Sequence, residues 1–325
     1  MQESPILGID IAKKKFDVYL LSDQKKCHKI FTNDRAGFLN LTNWCENQGF
    51  NYAHACLEAT GFYGEALADF LYEYGYKVSV VNPSQIKAFG RSQLRRTKND
   101  KIDCQLIAHF CKRHQPPLWH PLPAEQKKLR EWYRCLQSLK EQKRQITNQL
   151  ENLNLDEKVQ SAWKCMKVSV EKQINILEKE IKDFVKQTAS LNQSIKNLSQ
   201  ISGVGQLTAV GVLCEFPAVE NFSNVRQYVA YAGLNTAHYH SGSSAQGRGR
   251  VSKIGSPRAR KLLYMPAIVA KNHNPLFKEW AYRLKERGKP PKVIVVAIMR
   301  KLLHIFFGML KTRQPFDPNL FTKNA

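Results

Sequence analysis

The 325-residue chain lacks several things. Its eight cysteines form no C-x-x-C pair, and no Cys/His group has the spacing of a zinc site. Cys104, His109, Cys111 and His114 come nearest and match no zinc template. Reduced, mostly buried thiols are therefore expected, as in a cytoplasmic protein. The opening residues, Met-Gln-Glu-Ser-Pro, have no basic run and no apolar stretch, so no signal peptide is expected. The longest apolar stretch, Val293 to Leu310, is interrupted by Arg300, Lys301 and His304, which argues against a membrane span and a membrane partner. Acidic residues are scarce as well: 27 Asp and Glu face 50 Lys and Arg, a net charge of +23. An enzyme of small metabolites has no need of such self-repulsion, whereas a protein that handles nucleic acid does.

What is present is enough for folded domains. Apolar residues make up 43%, too many for a disordered chain. At ~150 residues per domain the length allows roughly two domains. The basic excess is uneven. Residues 226–325 hold 19 Lys and Arg against 3 Asp and Glu. That segment also contains apolar runs, Leu262 to Ala270 and Val293 to Met299, so it should fold rather than trail as a basic tail.

The first 120 residues read as strands and helices in the order β-β-β-α-β-α-β-α. Strands are expected at 6–11, 16–21, 29–32, 52–57 and 77–81, and helices at 35–47, 63–74 and 100–113. That order belongs to a ribonuclease-H-like α/β domain with a mixed sheet. From Leu129 the pattern changes to a 3-4 spacing: Leu129, Trp132, Leu136, Leu139, Ile146, Leu150 and Leu153, with Lys143 out of type. After a break at 154–169 it resumes from Val170 to Leu198, with Thr188 out of type. Such spacing predicts a coiled coil, as a helical hairpin or a dimer zipper, with a plain amphipathic helix pair as the ordinary alternative. A mainly helical region follows from about residue 199.

Four carboxylates stand out. Asp10 sits inside an apolar strand, where an acid is costly without a partner. Glu58 ends the fourth strand. Asp100 and Asp103 are three apart and share one helix face. Together they would suit a hard cation such as Mg²⁺, with Mn²⁺ as substitute, and phosphodiester chemistry. Singly, Asp100 suits a helix cap and Glu58 a loop.

Two further segments suit phosphate. Tyr239-His240-Ser241-Gly242-Ser243-Ser244 runs into Arg248, Arg250, Lys253, Arg258 and Arg260. A serine there suits nucleophilic attack with guanidinium groups steadying the phosphate, or simple backbone contact. Ile201-Ser202-Gly203-Val204-Gly205 resembles the turn of a helix-hairpin-helix, where Gly203 and Gly205 would let a phosphate approach a helix start.

In order along the chain, these motifs resemble those of the DEDD transposases of insertion sequences, including bridge-RNA-guided recombinases and pilin-gene inverting recombinases. The residues are Gly8-Ile9-Asp10-Ile11-Ala12-Lys13, Glu58-Ala59-Thr60-Gly61, Asn82-Pro83 and Lys98-Asn99-Asp100-Lys101-Ile102-Asp103. Ile201 to Gly205, Ala232-Gly233-Leu234, Ser241-Gly242-Ser243-Ser244, Ser252-Lys253 and Leu263 to Ala267 follow. The resemblance implies a RuvC-like domain at 1–123, a coiled-coil segment at 124–198 and a transposase domain at 199–325. It implies Asp10, Glu58, Asp100 and Asp103 as metal ligands and Ser241 as a nucleophile joined covalently to DNA. Lys13, Arg95, Arg96, Lys98, Gly203, Gly205, Arg248, Arg250, Lys253, Arg258 and Arg260 are the expected nucleic-acid contacts. The implied partners are target and donor double-stranded DNA, a structured guide RNA and further copies of the chain, as a dimer or a synaptic tetramer. The implied location is the cytoplasm, at the nucleoid. A metal-dependent junction nuclease with no covalent step, and a non-catalytic nucleic-acid-binding protein, are the alternatives.

Overall fold

The structure is a computed structural model and describes residues 4–59, 61–93, 99–152, 154–237, 240–241, 245–246 and 250–317. The chain divides into two compact units, Met1–Pro121 and Leu122–Ala325.

The first unit is built on five strands: β1 (Ile6–Ile11), β2 (Lys15–Leu21), β3 (Lys26–Thr32), β4 (His54–Glu58) and β5 (Lys77–Val81). Helices α1 (Arg35–Asn47) and α2 (Phe62–Glu73) flank β4 in sequence, and α3 (Pro83–Ser92) and α4 (Asp100–His114) follow β5. The sheet order is β3-β2-β1-β4-β5. β1 to β3 are antiparallel, while β4 and β5 run parallel to β1. This order is that of a ribonuclease-H-like, RuvC-like sheet. β1 buries both faces, so it reads as a continuous apolar run instead of an alternating one. Leu7 and Ile9 point into one core with Phe16, Val18 and Leu57, and Ile6 lies in the other with Tyr19, Cys56 and α4. Each such side chain contributes roughly 1.5–3 kcal/mol on burial.

One helix escaped the sequence reading. Asn82-Pro83 looks like a stop after β5, but it also opens α3. The Ser84 N–H donates to Asn82 Oδ1 at 2.8 Å, and Pro83 takes the first helical position, where its missing N–H costs nothing.

The second unit is helical: α5 (Ala124–Leu150), α6 (Glu157–Gln187), α7 (Ala189–Ser199), α8 (Gln206–Glu215) and α9 (Val225–Tyr231). Four short strands come next, β6 (Thr236–Ala237), β7 (His240–Ser241), β8 (Ala245–Gln246) and β9 (Arg250–Val251). α10 (Pro257–His273), α11 (Pro275–Glu286) and α12 (Pro291–Thr312) complete it. α5 and α6 pack side by side as a hairpin, crossed by ion pairs from Lys140 to Glu178 at 2.7 Å and Lys143 to Glu171 at 3.0 Å. Lys143, out of type in the apolar repeat, is thus a pairing position.

The expected break at 154–169 is much shorter. α6 begins at Glu157, because these residues are exposed and need helix propensity but no apolar repeat. A second interruption falls at Thr188, where an extended residue separates α6 from α7. The base of the hairpin is not free-standing: Leu129, Tyr133, Leu136, Ile181 and Val185 belong to the same core as α8, α10 and α12. α12 is long and apolar enough to cross a membrane, yet Ile298, Leu302, Leu303 and Phe306 are fully buried in that core. Short strands lie on either side of and within the serine-containing stretch. β6 pairs with β9, and β7 with β8, with Ser241 opposite Ala245.

Candidate active site

The acidic site depends on how α4 lies on the sheet. Gly8 and Asp10 point to the same face of β1, two residues apart. At Gly8 a β-carbon would collide with the Cys104 carbonyl and Ala108. Glycine therefore lets α4 sit directly on the strand. Asn99 caps that helix, accepting the Ile102 N–H on Oδ1 at 2.8 Å. Asp100 and Asp103 fall in its first turn, where the helix dipole favours negative charge. The close approach at Gly8 brings this turn to Asp10.

The electrostatics record the meeting. The Asp10 carboxyl is pushed up to about 6, first by burial, then by the charges of Asp103, Asp100 and Asp17. Glu58 stands at the end of β4. The β1–β4 register pairs Ile9 with Leu57, so Glu58 falls on the same sheet face as Asp10, one strand away. The structure thus brings the charges of Asp100 and Asp103 to bear on Asp10 and places Glu58 on the same sheet face as Asp10. Among the described residues no group of three or more His, Cys, Asp or Glu side chains is arranged to hold a metal ion. The donors nevertheless fit a hard divalent cation: all are carboxylate oxygens, and their mutual repulsion at a half-buried Asp10 is what such a cation relieves.

Sequence reasoning missed three residues here. Asp17 lies directly across from Asp10 in the β1–β2 ladder and is only 3% exposed. His28 Nε2 lies 2.9 Å from its Oδ1, and Lys15 Nζ lies 3.4 Å from its Oδ2. Lys15 also donates to Asp100 Oδ2 at 2.8 Å. The signal was a second acid, Asp17, in a second apolar strand. The Cys104, His109, Cys111 and His114 group has ordinary packing roles. Both thiols are buried, Cys111 meets His54 Nδ1 at 3.5 Å, and His114 stacks on Phe110.

The second unit holds the other predicted residues. Ser241 ends β7 and Arg250 begins β9. Arg95, Arg96, Lys98 and Arg248 lie outside the described residues. Lys13 is exposed in the β1–β2 turn, and Lys253 and Arg258 are exposed near the start of α10. Arg260 has an internal task. Its Nη1 donates to the carbonyls of Ala232 at 3.0 Å, Lys253 at 3.2 Å and Gly255 at 3.4 Å, tying together the turns on both sides of β6–β9. The two glycines of the predicted phosphate turn also differ. Gly203, at φ +100°, packs against the Ala270 backbone, whereas Gly205 is exposed at the start of α8 with open space beside it.

Sequence comparison relates the chain to transposases. A family model described as "Transposase", DEDD_Tnp_IS110, matches residues 7–158. A model described as "Transposase IS116/IS110/IS902 family" matches residues 195–281. The pilin gene-inverting protein of Moraxella bovis is 32% identical over 97% of this chain and 98% of its own length. The transposase for insertion sequence element IS1111A of Coxiella burnetii is 24% identical over 97% and 91%. The solved structure of T. thermophilus RuvC with a Holliday junction substrate covers 34% of this chain and 96% of its own, at 12% identity and a TM-score of 0.27. At that distance the strand order, rather than the overlap, carries the fold assignment.

Proposed function

The chain belongs to the IS110 family of DEDD transposases, enzymes that cleave and rejoin DNA, and from that premise we propose a two-part catalytic machinery for it. Asp10, Glu58, Asp100 and Asp103 hold a divalent cation, Mg²⁺ with Mn²⁺ as substitute. Ser241 is the nucleophile. The observation that carries the first half is a half-buried Asp10 whose carboxyl is pushed up by burial and then by the charges of the α4 acids. The second half rests on the placement of Ser241 in a strongly basic region and on the family's serine motif.

The cation would supply charge neutralisation at the scissile phosphate and a lowered barrier to ionising a hydroxyl. The Ser241 hydroxyl gives up its proton to solvent water and its Oγ attacks the phosphorus. The bond from phosphorus to the departing deoxyribose oxygen breaks, and that oxygen takes up a proton. The strand is left as a phosphoserine diester. A hydroxyl of the other duplex then attacks the same phosphorus and releases Ser241 with its proton restored. One phosphodiester is exchanged for another, so no external energy source is needed. Arg248, Arg250, Lys253 and Arg258 contact phosphates, as do Lys13, Arg95, Arg96 and Lys98. The open start of α8 at Gly205 binds a backbone phosphate.

Residues 1–123 act as the metal-dependent part, 124–198 as an arm that joins copies of the chain, and 199–325 as the part that carries the serine. A structured RNA pairs with target and donor DNA, which accounts for a basic excess larger than one duplex needs. The protein works in the cytoplasm at the nucleoid. The test is to purify the protein from its native expression context and sequence what comes with it. An abundant structured RNA encoded beside the gene, required for joining target and donor plasmids, is expected. Full recombination by RNA-free protein would overturn the guided mechanism.

A further inference from the structure

Asp17 is an acid of this site that the four-carboxylate motif does not use. It is almost wholly buried, and a buried carboxylate persists only when paired. Its two oxygens face different partners. His28 on β3 meets Oδ1 at 2.9 Å, and Lys15 at the start of β2 faces Oδ2 at 3.4 Å. The Lys15 ammonium reaches further, to Asp100 Oδ2 at 2.8 Å. A chain of contacts, His28–Asp17–Lys15–Asp100, therefore runs across two strands and ends on the first turn of α4. Its last member is one of the four motif acids.

We propose that Lys15 is a positioning residue. It is an internal counter-ion that holds Asp100 against the sheet in the metal-free protein and gives Asp100 up when a divalent cation enters. Asp17, fixed by His28, is the berth that keeps the ammonium beside the site after the exchange. This rests on the metal reading given above. The chemistry of the residue suits the task. A lysine carries a compact charge on a flexible four-carbon stem, so its ammonium moves between two carboxylates without moving the backbone. The side chain is 44% exposed, leaving it room to swing. Asp17, at 5% side-chain exposure, has no such freedom and acts as the fixed end.

The proposal predicts an unusual sign. Losing a useful side chain ordinarily weakens a site. Here Lys15→Gln should lower the melting temperature of the metal-free protein yet tighten Mn²⁺ binding by about two- to fivefold, because a competing cation is gone. The Mn²⁺-induced rise in melting temperature should grow accordingly. Lys15→Arg, which keeps the charge, should bind Mn²⁺ no more tightly than the wild type. Lys14→Gln, the exposed neighbour, should leave the affinity unchanged. Asp17→Asn should weaken Mn²⁺ binding, and by less in the Lys15→Gln background, since the two act through one chain. Calorimetric titration of the full chain with Mn²⁺, with melts in chelator, reads all of these. Unchanged or weaker Mn²⁺ binding by Lys15→Gln overturns the proposal. If Asp10→Asn binds Mn²⁺ as the wild type does, the metal reading itself fails, and the two failures are thereby told apart.

Discussion

The two units solve the problem of handling DNA with opposite means. The first carries 16 Lys and Arg against 12 Asp and Glu, nearly balanced; the second carries 34 against 15. The near-balanced unit concentrates its acids at one point of a sheet. The basic unit spreads its charge over helices and short strands. The supports differ as well. Asp10 stands on a six-residue strand with a core on each face, and Asp100 and Asp103 stand on a capped helix locked to that strand at Gly8. Ser241 stands on a two-residue strand. Carboxylates that repel each other need a rigid frame to stay together. The proposed nucleophile, which must meet, hold and release a DNA end, has less need of one.

The contrast is sharpest in the chemistry. Asp103→Asn in the first unit and Ser241→Ala in the second should each lower plasmid recombination by at least about a thousandfold. Neither should alter the affinity for duplex DNA by fluorescence anisotropy, because the basic surface is intact. Loss of binding along with activity would mean that the residue holds the fold or the DNA.

The next effect concerns what holds each unit together. In the second, Arg134 grips Glu215 with two hydrogen bonds of 3.1 Å, and the Glu215 side chain is only 5% exposed. Glu215→Gln leaves the guanidinium without its countercharge and should cost about 3 kcal/mol in chemical denaturation. In the first unit, Gly8→Ala forces α4 off β1 and should cost about 1–3 kcal/mol. Gly8→Ala should also lower activity beyond its effect on stability, because α4 carries Asp100 and Asp103. Glu215→Gln should not.

The smallest effect is a pH dependence confined to the acidic unit. Asp10 has its folded-state value raised from 3.8 to about 6. Its contribution to stability is therefore present below about pH 4 and is lost as the pH rises through 6. In chelator at pH 7.5, Asp10→Asn should melt above the wild type, and the gap should close by pH 4. Mn²⁺ affinity should fall below pH 6 by up to about tenfold per unit, since proton and metal compete for one carboxylate. A pH-independent gap in melting temperature would show that charge is not what strains the site.

Much of this was legible in the sequence, for identifiable reasons. An acid inside an apolar strand is conspicuous because burial makes it expensive, and Asp10 stands out on that ground alone. Asp100 and Asp103 share a face by helical spacing. What one strand cannot reveal is its register with the next. The pairing of Asp10 with Asp17, and the reach of Lys15 to Asp100, depend on contacts between segments up to 85 residues apart. The α3 helix was hidden because Asn-Pro both ends a strand and opens a helix. The heptad pattern located the α5–α6 hairpin but misjudged its turn, because an exposed helix tip has no apolar repeat. Arg260 shows a further limit: composition marks an arginine as a phosphate contact, and only the fold shows its Nη1 turned onto three carbonyls.

The central claim is that Ser241 and the four acids act in one reaction through a covalent protein–DNA link. It is tested most directly by incubating the protein with the proposed guide RNA, a labelled donor duplex and Mg²⁺, and resolving the products on a denaturing gel. A protein–DNA adduct whose crosslinked peptide maps to Ser241 is expected, absent from Ser241→Ala and from Asp10→Asn. Cleaved strands with free ends and no adduct would contradict it and leave a metal-dependent nuclease in its place.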